Sequence, residues 1–325
     1  MSKKVLITGG SGFIGTNLVE HFKSNGDDVL NIDVQSPRNS KHLDLWSQLD
    51  LLDQEKLRTV VQDFSPDIVF HMAARTDLGG SEISDYDANI QGVRNLITTL
   101  NTIDNLKKVI FSSSMLVCRL GYIPVKDDDY CPDTIYGRSK VCGEEIVRSA
   151  ITRFPWIIVR PTSIWGPWFG TPYRDFFTAI KRNVYVHPNG LRVRRSYGFI
   201  YNVVYQLDCI GRALDNRLDS QTVYLADYEP IELKSWADKI QYSLHSRPVR
   251  EVPFLILKIA ARIGDLLKFL GLQNPPMNTS RLSNMCTEMV HNTDVLESYC
   301  GATPHSIDDG VEITCAWLRN HSDNI

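Results

Sequence analysis

The chain has 325 residues and a formal net charge of −3, with acidic and basic residues spread along its length. That length allows one large α/β unit or a nucleotide-binding domain with a smaller second domain. The balanced charge argues against a nucleic-acid groove and against a polybasic membrane arm, so we expect a small-molecule ligand.

The seven cysteines are scattered and form no Cys-x-x-Cys pair, which argues against a disulfide framework and against a zinc site. The acidic run 127–129 lacks histidines and spaced oxygen ligands, so we interpret it as a solvated loop rather than a metal site. Residues 1–4 lead directly into an apolar strand, with no hydrophobic signal region. We therefore expect a cytoplasmic protein without a metal.

Short β-branched runs alternate with longer helical patterns through the first half of the chain. Strands are predicted over residues 4–8, 28–33, 68–72, 108–112 and 156–160. Helices are predicted near residues 14–24, 54–64, 86–102 and 136–153. This alternation predicts right-handed βαβ crossovers and an α/β fold with a Rossmann-type, doubly wound parallel sheet.

A glycine-rich turn, GGSGFIG over residues 9–15, separates the first predicted strand from the first helix. Gly9 permits a tight turn, Gly12 lets the backbone approach a pyrophosphate, and Gly15 lets the helix lie close to the strand. The helix N-terminus adds backbone N–H groups and the positive end of its dipole. The turn therefore predicts a diphosphate-binding site.

Asp33 ends the second predicted strand, 18 residues beyond Gly15. A carboxylate there can accept hydrogen bonds from the adenosine ribose hydroxyls and would repel the 2′-phosphate of NADP. The alternative is a glycine-rich turn with a strand-end aspartate that serves as a cap, and Arg38 could instead hold a 2′-phosphate. The context favours NAD.

Three serines, 112–114, end the strand at 108–112, and Tyr136 follows 22 residues after Ser114. Tyr136 and Lys140 are four residues apart, so on a helix they share one face. A tyrosine titrates near 10 and needs a neighbouring cation, together with a positive nicotinamide ring, to act as a base near neutrality. Ser114 could hydrogen-bond the reacting oxygen. These residues predict an alcohol–ketone redox site.

Beyond residue 160 the alternation loosens into loops rich in proline, glycine and aromatic residues. Insertions after the late strands of an open sheet lie over the strands' carboxyl ends, where ligands bind. We predict an NAD-binding Rossmann domain over 1–165 and a smaller, mainly substrate-binding C-terminal domain over 166–325. Segments near 196–227 are expected to return to the first domain.

The longest apolar stretch, residues 254–272, is interrupted by four charged residues at spacings of four, three and three. Those spacings place the charges on one helical face, which predicts an amphipathic helix and excludes a membrane span. We expect this helix to cover the protein's own core. An interfacial membrane helix is the alternative.

With these motifs in order, the sequence resembles the extended short-chain dehydrogenase/reductase family. Within it, the sequence resembles the NAD-dependent nucleotide-sugar epimerase/dehydratase group, and in particular its UDP-galactose 4-epimerase-like members. The resemblance spans about the first 200 positions. It is carried by TGGSGFIG at 8–15, Asp33, Asp50-Leu51, HMAA at 71–74, Asn89, Ser112–Ser114, YGRSK at 136–140 and RPTSIWGP at 160–167.

The resemblance implies roles for individual residues. Ser114 would position the substrate, Tyr136 would act as acid and base, and Lys140 would hold the nicotinamide ribose while lowering the tyrosine pKa. The implied NAD-binding residues are Gly9, Gly12, Phe13, Ile14, Gly15, Asp33, Asp50, Leu51, Ala73, Ala74, Ser112, Tyr136, Lys140 and Pro161. His71 is interpreted as a packed strand residue, and Asn89 as a residue that caps or braces its helix.

Two departures from the group's pattern narrow the reaction. Related 4,6-dehydratases carry an Asp-Glu pair just after the serine strand end, where this chain has Met115 and Leu116. Related decarboxylases likewise place a glutamate near that point. Ser163, a candidate substrate-binding residue, stands where 4-epimerases often have asparagine. Epimerisation at a carbinol carbon or plain oxidation and reduction remain.

Arg195 matches a position that binds the substrate diphosphate in the epimerases, although a solvated basic strand is the alternative interpretation. We expect a nucleotide sugar or another small alcohol or ketone as substrate, and a homodimer formed through the helices near 86–102 and 136–153. Two alternatives stay open: a hydroxysteroid- or dihydroflavonol-type alcohol dehydrogenase, and a non-catalytic NAD-binding regulator or scaffold.

Overall fold

The computed structural model describes residues 2–213, 215–272 and 277–321. The chain divides into two compact units. The first comprises residues 1–164, 198–228 and 292–305, and the second comprises residues 165–197, 229–291 and 306–325. The return of the chain to the first unit at 292–305 was not predicted from the sequence.

The first unit is built on one seven-stranded sheet with all neighbouring strands parallel. Its strands are β1 (Lys4–Thr8), β2 (Asp28–Asp33), β3 (Trp46–Gln48), β4 (Ile68–His71), β5 (Lys108–Ser112), β6 (Trp156–Pro161) and β11 (Thr222–Leu225). They lie in the order β11-β6-β5-β4-β1-β2-β3. The predicted Rossmann-type fold is confirmed, and β3 and β11 are short strands that the sequence analysis missed.

Helices connect these strands, except the last one named here, which follows β11 in the chain, and each has an apolar face that packs into the core of the unit. They are α1 (Phe13–Ser24), α2 (Gln54–Phe64), α3 (Asp87–Leu100), α4 (Ile135–Ser149), α6 (Ile200–Arg212) and α10 (Asp294–Cys300). Strands β1 and β4 read as continuous apolar runs because both faces of the sheet are covered. Because the strands are parallel, their carboxyl ends lie at one edge of the sheet, and this positions the loops that follow them.

The second unit contains short strands and helices. They are α5 (Tyr173–Lys181), β8 (Val186–Pro188), β9 (Arg194–Arg195), β12 (Ile231–Glu232), α7 (Leu233–Ser243), β13 (Arg250–Val252), α8 (Phe254–Phe269), α9 (Thr279–Cys286) and α11 (Ile307–Asn320). Strands β7 (Ser163–Trp165) and β10 (Tyr197–Phe199) lie where the chain passes between the units. Buried Trp236 packs in an aromatic cluster with Trp165 and Phe177.

Helix α8 corrects one expectation. Its buried positions are Leu257, Ala261 and Gly264, which face a small cluster that includes Leu282 of α9. The other large apolar side chains of the helix are exposed, so the expectation that it covers the protein's core is wrong for most of its apolar residues. Within the residues that the structure describes, every helix is too short or too polar to traverse a bilayer.

Candidate active site

The glycine turn after β1 is packed so closely that side chains cannot be accommodated. Gly9 has φ +73°, and a Cβ there would lie 2.5 Å from the backbone nitrogen of Ala73. A Cβ on Gly15 would lie 2.1 Å from the carbonyl oxygen of Gly9. Gly12 is the N-cap of α1 and provides no side-chain cap for the helix. The first N–H groups of α1, which begins at Phe13 and Ile14, therefore suit a phosphate.

Asp33 ties the end of β2 to this turn. Its Oδ2 accepts a hydrogen bond from the backbone N–H of Ser11 at 3.0 Å, and its Oδ1 accepts one from Gln35 at 2.9 Å. Each carboxylate oxygen has a further lone pair, and the residue is half-buried. Asp33 can therefore accept ribose hydroxyls while it also holds the glycine turn in shape.

The segment after β4 packs beside the glycine turn. His71 shares a 2.7 Å hydrogen bond with the hydroxyl of Thr8, and that hydroxyl also accepts the backbone N–H of Ala73 at 3.4 Å. Burial, together with the nearby Lys140 ammonium, lowers the pKa of His71 to about 3. A neutral, fully packed imidazole fits the interpretation of His71 as a strand residue, and it leaves the half-buried Ala73 and Ala74 bordering the turn.

Asn89 holds this segment against α4. Its side-chain oxygen accepts the N–H of Arg75 at 2.8 Å, and its amide donates to the Arg75 carbonyl at 3.0 Å and to the Ser139 hydroxyl at 2.9 Å. Ser139 lies between Tyr136 and Lys140 on α4. Asn89 therefore braces the helix that carries the candidate catalytic residues.

Ser114 and Tyr136 lie side by side and are both buried. Ser114 follows β5, and its hydroxyl accepts the backbone N–H of Leu116 at 3.1 Å. Burial raises the pKa of Tyr136 to about 12, whereas a hydrogen bond from the Ser114 hydroxyl to the phenolate acts in the opposite direction. The ring of Tyr86 packs beside that of Tyr136, with 6.1 Å between the ring centroids.

Lys140 lies one turn further along α4 and is also buried. Its Nζ donates to the carbonyl oxygen of Ser112 at 2.8 Å. Burial lowers the pKa of Lys140 to about 8, and the carboxylate of Glu144 opposes that shift. The ammonium thus remains charged at neutral pH.

A buried ion pair below this site was missed in the sequence. Arg160 of β6 donates from Nε and Nη2 to the two carboxylate oxygens of Glu144, each at 2.8 Å, and both side chains are 1% exposed. The hydroxyl of Tyr130 donates to the same carboxylate at 2.9 Å, and Tyr224 accepts from Arg160 at 3.1 Å. The Glu144 side chain follows Lys140 by one turn, a spacing that could have indicated a shared face.

The remaining candidate cofactor residues are placed as follows. Asp50 is exposed, and its carboxylate accepts the N–H of Leu52 at 2.9 Å. The side chain of Leu51 is buried in the core, so contact with an adenine would involve its backbone. Ser112 and Pro161 end β5 and β6, two neighbouring strands, and both are half-buried.

The candidate substrate residues are placed separately. Ser163 is buried in β7. In the second unit, Arg195 donates from Nε to the carbonyl oxygen of Thr287 at 3.0 Å, and its buried Nη2 makes no hydrogen bond among the described residues. Arg194, the residue before it, is exposed, and its Nη2 lies 3.8 Å from Oε1 of Glu288. A buried guanidinium nitrogen without a partner fits an anionic ligand.

The description of one protein family fits this arrangement. The model of the NAD dependent epimerase/dehydratase family matches residues 5–225, which include the glycine turn and the Ser114, Tyr136 and Lys140 set. This chain belongs to that family. It is an NAD-dependent enzyme of the extended short-chain dehydrogenase/reductase type, and the open N-terminus of α1 with Asp33 fits that cofactor.

Individual relatives show the same kinship. An N-acetyl-alpha-D-glucosaminyl-diphospho-ditrans,octacis-undecaprenol 4-epimerase of Escherichia coli is 23% identical over 99% of this chain and 97% of its own. A 3-beta-hydroxysteroid dehydrogenase of Mycolicibacterium neoaurum is 26% identical over 72% of this chain and 68% of its own. The crystal structure of a UDP-glucose 4-epimerase from Thermotoga maritima, solved with UDP-glucose, has a TM-score of 0.74. It is 19% identical and matches 98% of this chain and 99% of that one.

Proposed function

We propose that the protein is an epimerase that inverts a carbinol carbon of a nucleotide sugar by reversible hydride transfer. The observation that carries the proposal is the buried set of Ser114, Tyr136 and Lys140 at the carboxyl end of β5. The positions after Ser114 are Met115 and Leu116, in a turn that supplies no carboxylate for dehydration. The similarity to nucleotide-sugar epimerases adds support.

Each residue of the set has a chemical task. Bound NAD supplies a reversible acceptor for the hydride. Tyr136 removes the proton of the reacting hydroxyl and returns it to the new alcohol. The Lys140 ammonium favours the phenolate. The Ser114 hydroxyl, which contacts Tyr136 in the free protein, would turn its one proton to the reacting oxygen and keep that oxygen in line. The buried Nη2 of Arg195 would bind the substrate's diphosphate.

The test uses UDP-glucose deuterated at the reacting carbon, with a panel of other UDP-sugars. An epimerase converts the sugar, retains the deuterium, takes up none from solvent and accumulates no NADH. Tyr136→Phe should lower the rate by about 10²–10⁴-fold while the protein still binds NAD. Net NADH formation would show a dehydrogenase instead, and full turnover by Tyr136→Phe would refute the assigned role.

A second candidate substrate is a sugar joined through its diphosphate to a polyprenol. It is favoured by the E. coli relative, which matches nearly the full length of both chains. The steroid dehydrogenase matches 72% of this chain and 68% of its own length. Melting curves with UDP-sugars, a polyprenyl-diphosphate sugar and a sterol separate these classes, because a ligand stabilises the state that binds it. Stabilisation by the sterol alone would contradict both sugar assignments.

We also infer a cytoplasmic homodimer. The described cysteines are unpaired, as in a reducing compartment. Helices α3 and α4 lie side by side in the first unit, and the family resemblance favours pairing through them. Light scattering during gel filtration measures the mass directly. A monomer at micromolar concentration would contradict the dimer.

A further inference from the structure

Helix α8 has a broad apolar face that no described residue covers. Residues 254–272 include ten of the 22 exposed large apolar side chains of the described residues, which makes this segment the main exposed apolar surface. Each Leu, Ile or Phe left in water forgoes the free energy that burial of its side chain would contribute. Such a surface marks an interaction site rather than ordinary surface variation.

The exposed side chains form a continuous stripe. Ile259, Ile263, Leu266 and Leu270 follow one another at helical spacings, with exposed fractions of 53%, 54%, 57% and 70%. On the opposite side, a Cβ on Gly264 would lie 1.7 Å from the carbonyl oxygen of Met277. The helix is therefore packed tightly through its narrow small-residue side, and the stripe points away from the core of its unit.

Positive charge lies along one edge of the stripe. Lys258 and Arg262 are exposed and each precedes a stripe residue by one position. Lys268 is exposed further along the helix. Asp265, the helix's acidic residue, accepts hydrogen bonds from the backbone N–H and the hydroxyl of Thr279 at the start of α9. Lys258 and Arg262 thus lie beside the apolar stripe, with Asp265 on their side of the helix, and Lys268 lies on the side that carries Leu257 and Gly264.

This pattern selects one kind of partner. At about 1.5 Å per residue, a 16-residue helix is too short to span a bilayer of about 30 Å, so it would lie in the plane of the interface. Anionic headgroups complement Lys258 and Arg262, and the acyl boundary accepts the Leu and Ile side chains. A second copy would bring two helices of the same net positive charge together, since each carries Lys258, Arg262 and Lys268 against the single carboxylate of Asp265.

We propose that the exposed stripe of α8, with Lys258 and Arg262, docks the protein on an anionic membrane surface. The helix lies in the interface plane with its apolar side chains below the headgroups. This proposal goes beyond the proposed function and does not depend on it, because it rests on residues outside the candidate catalytic set.

The experiment is flotation of the full-length protein with two kinds of vesicle: phosphatidylcholine alone, and two parts phosphatidylcholine with one part phosphatidylglycerol. We expect binding to the anionic vesicles at least about tenfold stronger than to the neutral ones, weakening as salt is raised to about 0.5 M. The double variant Lys258→Glu/Arg262→Glu and the double variant Ile259→Ser/Ile263→Ser should each weaken binding about tenfold or more.

Matched controls keep the test decisive. Ile151, 94% exposed and in the other unit, is replaced by Ser and should leave vesicle binding unchanged. Both α8 variants should keep the wild-type melting temperature and turn over a water-soluble substrate normally. Tyr136→Phe should bind vesicles like wild type, which separates failure of this proposal from failure of the proposed function.

Three outcomes would overturn the proposal. The first is absence of binding to anionic vesicles. The second is equal binding by wild type and the α8 variants. The third combines two results: the wild-type protein does not bind vesicles, and it forms a concentration-dependent dimer that the Ile259→Ser/Ile263→Ser variant does not form. That combination would assign the face to a second copy.

Discussion

The Nζ of Lys140 lies 2.8 Å from the carbonyl oxygen of Ser112, and this hydrogen bond joins α4 to the carboxyl end of β5. The same contact holds the ammonium close to the segment that carries Ser114 and to the helix turn that carries Tyr136. Burial lowers the pKa of Lys140 to about 8, so the charge is present at neutral pH and is lost under mildly alkaline conditions.

Lys140→Met should lower kcat about 10²-fold or more, and the pH at which the tyrosine limb of the rate profile appears should move upward. The reason is that the phenolate loses its stabilising cation. Lys140→Arg should restore part of the rate. Arg138→Met, an exposed cation on the same helix, is the control and should behave like wild type. An unchanged pH profile for Lys140→Met would show that the lysine has no influence on Tyr136.

Asp33→Asn should weaken NAD binding about tenfold and narrow the preference for NAD over NADP, because hydrogen bonds to a charged group are worth about 1.5–3 kcal/mol. Asp28→Asn changes an exposed aspartate at the other end of β2 and serves as the control. Titration calorimetry with NAD and with NADP measures the ratio of the two dissociation constants. A ratio equal to that of wild type would mean that Asp33 supports the turn but does not select the cofactor.

Arg195→Met should raise KM for a sugar diphosphate about tenfold or more with a smaller effect on kcat, since a charge-assisted contact to the diphosphate is lost. Arg194→Met is the matched neighbour, because that side chain is exposed. Steady-state kinetics separate the two parameters. Equal KM values for the two variants would remove Arg195 from the substrate site.

Arg160→Met and Glu144→Gln should each destabilise the protein, by about 3–5 kcal/mol for the arginine change, because each leaves a buried group without its partner. The double change Glu144→Leu/Arg160→Met should cost less than the sum of the two single changes, since it leaves neither member of this pair charged without the other. Urea unfolding measures all of these, with exposed Glu145→Gln as the control on the same helix. Additive losses in the double variant would contradict the pairing.

Asp227 makes stability depend on pH. Burial raises the pKa of Asp227 to about 6, even though the carboxylate accepts hydrogen bonds from Phe199 and Asn202. Between pH about 4 and 6, the folded state therefore binds more protons than the unfolded chain, and this group's stabilising contribution is lost as pH rises through that window.

Asp227→Asn should remove that loss, so the difference in melting temperature between variant and wild type should shift in the variant's favour as pH rises from about 4 to above 6. Differential scanning calorimetry across this window measures the difference. Asp63→Asn, an exposed position on α2, should show no such trend. A difference that stays constant with pH would mean that Asp227 titrates alike in both states.

Much of the nucleotide-binding half was predictable from the sequence because its signals are local. Buried parallel strands are short apolar runs, the glycine turn follows one of them directly, and Tyr136 and Lys140 are one helical turn apart. Each of these features depends on neighbouring residues in the chain. The order of the strands then brought Asp33, Ser114 and Ala73 to one edge of the sheet.

What the sequence by itself determined is therefore the family, the NAD cofactor and the glycine turn between β1 and α1, while Ser114, Tyr136 and Lys140 are its predicted catalytic residues. The tertiary structure alone decided the pairing of Glu144 with Arg160, the bracing of α4 by Asn89, and the hydrogen bonds of the half-buried Asp227 to Phe199 and Asn202, since these depend on segments that meet only after folding. It also decided which face of α8 is exposed. The periodicity of residues 254–272 shows that an apolar face exists, but the neighbours that cover or expose that face are set by packing elsewhere in the chain.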